Sequence, residues 1–168
     1  MESPEEVKKT EMDRDYTYRI LGCVYEVYNQ LGPGLLESIY EKAMMRELRL
    51  NGFDVRSQVQ VPVYYKGEQL CHDLRLDLIV DNRVILELKS VIDYRKLFEK
   101  QLYTYLRLMD CEQGYVVNFN TENIRDSIYP VVNRHSTTNP KTRNPINPYP
   151  EDNHPIILSS VELKKSVE

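Results

Sequence analysis

The sequence predicts an α/β (α+β) domain in which a helix, three strands, a helix and a strand follow one another, with one extra helix in front. Two observations carry this. Apolar residues recur at near-helical spacing, then at alternating spacing, then at helical spacing again, and the breaks rich in Gly and Asn fall where the period changes. A third sets the limits: residues 134–150 turn to Asn, Pro, Thr and Arg, a composition with almost nothing to bury. The 168 residues therefore read as one domain over 13–133, with a flexible N-terminus over 1–12 and a Pro/Asn-rich C-terminal tail over 134–168.

The first helix is expected over residues 13–31, where Ile20, Val24, Val27 and Leu31 repeat at helical spacing and Gly32-Pro33-Gly34 stops the run. The second is expected over 35–50, with Tyr40, Met44 and Leu48 as its inner stripe and Asn51-Gly52 as its stop. Three strand-like runs follow, at 55–65, 74–80 and 84–91, separated by Lys66-Gly67 and by Asp81-Asn82-Arg83. Helical spacing returns over 94–109 through Leu97, Phe98, Leu102, Tyr105 and Met109, and 115–119 supplies a short buried strand. Within the tail, 156–163 is apolar enough to dock on the domain.

The opening segment is polar and acidic, so no signal peptide is expected, and no run is long enough to span a membrane. The expected address is the cytoplasm. Cys23, Cys71 and Cys111 are odd in number and far apart, as suits reduced thiols. Cys71-His72-Asp73 is a poor ligand set, because adjacent strand residues point to opposite faces. A net charge of −4 argues against coating nucleic acid through a broad basic surface, yet a carboxylate-lined metal site is itself acidic before its cation binds. The chain shows no Gly-rich phosphate loop, Ser/His/Asp arrangement or reactive-cysteine context, and those enzyme classes are set aside.

Register is the most informative feature. In residues 74–80, Leu74, Leu76, Leu78 and Val80 share one face and Arg75, Asp77 and Ile79 the other; in 84–91, Val84, Leu86 and Leu88 oppose Ile85, Glu87 and Lys89. Matching the apolar faces in an antiparallel hairpin puts Val80 opposite Val84, Leu78 opposite Leu86 and Leu76 opposite Leu88. Asp77 then faces Glu87, Arg75 lies across from Lys89, and the turn has an odd length centred on Asn82. Two carboxylates so placed repel unless a proton or cation lies between them.

Asp77 followed after nine residues by Glu87-Leu88-Lys89 resembles the D-x(n)-ExK signature of PD-(D/E)XK nucleases, with Leu76 where the superfamily name records Pro. The stretch Gly34-Leu35-Leu36-Glu37-Ser38-Ile39-Tyr40 is similar to the GxxExxY pattern of one family in that superfamily. Gln101-Leu102-Tyr103-Thr104-Tyr105 resembles the QxxxY motif of its RecB-like members. Single motifs of this size are unspecific; their order on the right elements is what carries weight. The resemblance implies a restriction-endonuclease-like αβββαβ core, a mixed sheet flanked by helices, and a divalent-metal-dependent nuclease hydrolysing phosphodiester bonds, with DNA the favoured partner. It implies Mg²⁺ or Mn²⁺ held by Asp77, Glu87, the Leu88 carbonyl and Glu37, with Lys89 acting on the attacking water and phosphate, and Gln101 and Tyr105 positioning Lys89 or the scissile phosphate.

Each residue has an alternative reading. With Gly34 as N-cap, Glu37 sits at the third helical position, where a carboxylate suits capping and the macrodipole. Asp77 and Glu87 could belong to a solvated lattice neutralised by Arg75 and Lys89. Gln101 and Tyr105 could be an edge-of-core pair. Arg95, Lys96 and Lys100 could be a helix's wet side or meet phosphates, and Tyr64, Tyr65, Tyr94 and Tyr103 could stack on bases or fill the core rim. The alternative function is a non-catalytic nucleic-acid- or protein-binding module retaining a nuclease-like fold. A homo-oligomer is a further expectation, motivated by the many Tyr residues and the first amphipathic helix.

Overall fold

The computed structural model describes residues 3–134 and 136; what the sequence leads one to expect of the rest of the tail, including docking of 156–163, lies outside the described residues. Helix α1 spans Pro4–Leu31 and helix α2 spans Glu37–Leu50. The first therefore begins well before residue 13, and residues 4–12, expected as a flexible lead, continue the helix. Proline suits a first helical position, where its missing N–H would have no partner, but a polar segment without an apolar stripe offers no periodic cue. At the other end Gly32 takes φ +66 and its N–H bonds the Tyr28 carbonyl at 2.8 Å, ending α1 where the Gly-Pro-Gly run predicts.

The strands are β1 (Val55–Gln60), β2 (Val63–Tyr65), β3 (Glu68–Cys71), β4 (Arg75–Val80), β5 (Val84–Lys89), β6 (Gln113–Asn118) and β7 (Ile128–Val132), and helix α3 (Leu97–Leu108) links β5 to β6. The main sheet has the order β1-β4-β5-β6-β7, with β5 and β6 parallel and the other neighbours antiparallel. It is the expected mixed sheet flanked by helices. Two details differ. The expected single strand over 55–65 divides near Pro62, which has no N–H for a ladder, and β2 and β3 form a separate hairpin turning at Lys66 (φ +48) and Gly67 (φ +84). Strand β7 was not foreseen, because Pro130 interrupts its run; the edge of a sheet is where a strand tolerates proline.

Each face of the sheet is covered. On one side Ile20, Val24 and Val27 of α1 and Tyr40, Met44 and Leu48 of α2 pack on Leu78, Val80, Val84, Leu86 and Leu88. On the other, Phe98, Leu102, Tyr105 and Leu106 of α3 pack on Ile79, Ile85 and Val116. Fully burying one such side chain stabilises the fold by roughly 1.5–3 kcal/mol, so both layers are needed to hold the central strands. The close fit of β6 beside β5 depends on Gly114, where an added Cβ would stand 2.5 Å from the Ile85 carbonyl oxygen.

One predicted face is corrected. Leu76, expected to share its side with Leu78, packs with Val61 and the α3 layer. Opposite Asp77 on β1, Gln58 has φ +51, a conformation that L residues adopt rarely, and the chain on the far side of it turns its apolar groups, Val59 and Val61, toward the second layer.

Candidate active site

The β4–β5 hairpin is closed by Asp81-Asn82-Arg83, with Asp81 at φ +50, Asn82 at φ +56, and the Arg83 N–H bonding the Val80 carbonyl at 2.9 Å. Val80 pairs with Val84, Ile79 with Ile85 and Leu78 with Leu86, the register that alternation predicts. The next pair outward is Asp77 and Glu87, and here side chains enter the ladder. The Asp77 N–H donates to Glu87 Oε1 at 3.1 Å, and the Leu88 N–H donates to Asp77 Oδ2 at 2.8 Å. Each acid thus takes a backbone N–H of the neighbouring strand. The expected rung between Leu76 and Leu88 is replaced by the Asp77 carboxylate. Because the N–H and C=O of one strand residue point to the same side, the Leu88 carbonyl faces this gap.

These carboxyls are withdrawn from solvent to different degrees, Glu87 buried and Asp77 half-buried at the cleft. Glu87 is 4% exposed, and burial first, then the Asp77 charge, pushes its carboxyl well above the usual range. Asp77 is raised as well, chiefly by burial, against the stabilising Leu88 N–H and the Lys89 charge. Arg75 does not face Lys89 as expected: it is exposed and donates to the Gln58 carbonyl at 2.9 Å, whereas Lys89 is paired with Asn118 of β6 and is 7% exposed. Among the described residues the ion pairs are Arg83–Asp13 and Lys96–Glu99, so neither acid is neutralised within a salt bridge. The solvated-lattice reading fails on burial.

Asp77 and Leu88 line a cleft of about 540 Å³ together with Glu37, Glu41, Gln58 and Ser90. Glu37 is the first residue of α2, with Leu36 rather than Gly34 at the N-cap. Its Oε1 accepts the Ser90 N–H at 3.2 Å, so the carboxylate reaches across to the end of β5 instead of capping its own helix. Tyr40 sets up this approach. Its buried hydroxyl accepts the Leu35 N–H at 3.2 Å and donates to the Gly32 carbonyl at 2.5 Å, and its ring stacks on Phe119 with centroids 4.2 Å apart. Ser90 Oγ then donates to the Leu35 carbonyl at 2.6 Å, fastening the turn before α2 to the residue after Lys89.

Glu87, Lys89, Gln101 and Tyr105 do not line the cleft; they are buried at the same strand end on the α3 side. Gln101 Nε2 donates to the Tyr105 hydroxyl at 2.6 Å, and no hydrogen bond of the described residues joins either to Lys89. Burial and then the Glu87 charge push the Tyr105 phenol upward, which puts it near the acid pair. Glu41 and Gln58 were missed. Gln58 Nε2 donates to Glu41 Oε2 at 2.7 Å and to Asp77 Oδ1 at 3.5 Å, linking α2 to β4 through the cleft. Spacing could have found Glu41, four residues after Glu37 and so on the same helical face. Nothing in the sequence marks Gln58. Of the aromatic candidates, Tyr64 and Tyr65 are exposed, whereas Tyr94 stacks on Tyr129.

Residues 14–131, well over half of the chain, match the PD-(D/E)XK nuclease superfamily, and the chain belongs to it. No curated protein matches. Among solved structures, the crystal structure of SSO0001 is similar at 20% identity and a TM-score of 0.45, the match covering 74% of this chain and 61% of that one. The family match, not this likeness, carries the assignment.

Proposed function

We propose that the chain is a divalent-metal-dependent nuclease that hydrolyses phosphodiester bonds, with DNA the favoured substrate and Mg²⁺ or Mn²⁺ the cofactor. One observation carries the reading: buried Glu87 and half-buried Asp77, both with raised carboxyls, interrupt the end of a hairpin that is otherwise apolar and regularly paired. Two carboxylates desolvated this close together need a proton or a cation between them.

The donor set suits a hard cation. It consists of the Asp77 and Glu87 carboxylates and the Leu88 carbonyl, with Glu37 beside them, all oxygen. Among the described residues no group of three or more His, Cys, Asp or Glu side chains gathers as a ready-made cage. Mg²⁺ keeps several waters and takes one or two carboxylates, so the Asp77–Glu87 pair would be its main protein contribution. When bound, the cation would polarise the phosphoryl oxygens and lower the pKa of the attacking water. Lys89 would hold that water and offset charge growing on the phosphate, Glu37 would complete the acidic wall, and the Gln101–Tyr105 pair would brace the strand end from α3. Three free cysteines suit a reducing compartment such as the cytoplasm.

The test is cleavage by the purified chain of single-stranded, duplex and branched DNA, and of RNA, in Mn²⁺, Mg²⁺ and EDTA. Cutting that requires metal and is lost in Asp77→Asn supports the reading. No calorimetric cation binding together with intact substrates would overturn it. The second reading, a binding module, draws on the Gln101–Tyr105 bond, which leaves both side chains engaged with each other. Metal-independent DNA binding that Lys89→Ala leaves unchanged, without cleavage, would favour it.

A further inference from the structure

We propose that Phe98 is the positioning residue of Lys89, holding its ammonium by the face of the ring; the proposal rests on the nuclease reading of this site. Lys89 Nζ lies 4.8 Å from the Phe98 ring centroid. Lys89 is 7% exposed and Phe98 4%. Among the described residues no carboxylate stands within salt-bridge distance of the Lys89 ammonium and no hydrogen bond is made by its N–H groups, so Asp77 and Glu87 act on it through their charge at longer range. The negative face of the Phe98 ring is a directed contact beside these charges, and it has a property that a paired carboxylate lacks: it attracts the ammonium without consuming its donors. The N–H groups remain free for a water or a phosphate oxygen.

The ring is itself held. Tyr94 packs against it edge-on at 5.5 Å and 72°, and Tyr94 is fixed in turn by stacking on Tyr129 at 3.8 Å and by donating its hydroxyl to Glu99 at 3.1 Å. Phe98 stands three residues before Gln101 on the inward face of α3, so a single helical face presents the ring to Lys89 and the Gln101–Tyr105 pair to the same strand end. A leucine at position 98 would fill comparable space. It would not attract an ammonium.

Electronic tuning of the ring separates attraction from packing. Phenylalanine at 98 is replaced by 4-fluoro- and 3,4,5-trifluorophenylalanine, which change shape little and weaken the negative face stepwise, and by Leu in Phe98→Leu. Cleavage of a DNA substrate in Mn²⁺ is measured for each, with the ε-methylene proton shifts of Lys89 read by NMR on lysine-labelled protein and assigned through Lys89→Arg. Expected are a stepwise fall in kcat with fluorination at nearly constant KM, a fall of about tenfold or more in Phe98→Leu, and an upfield Lys89 ε-proton shift that disappears in Phe98→Leu. Equal kcat across the fluorinated series, in protein whose wild type cleaves, would overturn the proposal. A Phe98→Leu protein that does not fold leaves the fluorinated variants to decide. If the wild type cleaves nothing, the nuclease reading falls; the NMR shift still decides the ring contact, its absence refuting it and its presence in the wild type supporting it.

Discussion

At its turn the β4–β5 hairpin pairs Val80 with Val84 and Leu78 with Leu86, side chains buried against α1 and α2. One residue further along each strand the same hairpin carries Asp77 and Glu87, and backbone pairing gives way to carboxylates that accept N–H groups across the gap. Covalently the two ends are one structure; energetically they are opposites. The turn end gains stability from every group it buries. The open end buries Glu87 and Lys89 and half-buries Asp77, whose charge repels that of Glu87, a cost that persists because the turn end and the flanking helices hold the strands together. The hairpin therefore joins a stabilising half to a destabilising one, and substitutions should sort the same way.

The largest expected effect lies at the turn end. Leu86→Ala removes a fully buried side chain and should cost about 2–5 kcal/mol in urea unfolding. A loss below about 1 kcal/mol would mean that this end is not what holds the hairpin. At the open end Lys89→Ala should lower kcat for DNA cleavage by about 10²–10³-fold with folded protein retained, as loss of a group stabilising charge in the transition state does. A variant cleaving at the wild-type rate would remove Lys89 from the chemistry.

Cation binding sharpens the contrast further. At about a hundredfold excess over its dissociation constant, Mn²⁺ or Mg²⁺ should stabilise the protein by roughly 2.7 kcal/mol, seen as a melting shift of several degrees. Asp77→Asn should abolish that shift while raising the metal-free melting temperature, since it removes one charge of a repelling pair. Identical wild-type melting curves in EDTA and millimolar metal, repeated with oligonucleotide present, would break the comparison.

Dependence on pH follows in sign. Both acids have folded-state values raised above their unfolded ones, so folding favours their protonated forms. Their contribution is complete below the unfolded values of about 4 and is lost as pH rises through the raised folded values. Metal-free protein should lose stability over that window, and Glu87→Gln should flatten the decline; a decline of equal slope in the variant would assign it elsewhere. The smallest effect is expected at the turn. Asn82→Gly relieves a left-handed residue but removes its contact with Arg56, and should change stability by no more than about 0.5 kcal/mol in the same unfolding assay.

Much of this hairpin was legible beforehand because alternation has a period of two: once Leu78 and Val80 must share a face with Val84 and Leu86, only an odd turn fits, and Asp77 must follow opposite Glu87. The neighbours Gln101 and Tyr105 were legible for the same kind of reason, four residues apart on one helical face. Local periodicity carries no information about where a ladder stops. Nothing in the chain announces that Gln58 takes a left-handed conformation opposite Asp77, that Leu76 then turns to the other layer, or that the Asp77 carboxylate displaces a rung.

By itself, then, the sequence determined the order of the helices and of the central strands β4, β5 and β6, the register of the hairpin near its turn and the residue types at its open end, since these follow from spacing and turn chemistry within short stretches of chain. Only the tertiary structure decided that Glu37 reaches Ser90 instead of capping its own helix, that Glu41 and Gln58 join the cleft, and that Phe98 faces Lys89. Those contacts join segments distant in sequence, and they exist because α2 and α3 pack on opposite faces of one sheet and bring their side chains to the same strand end.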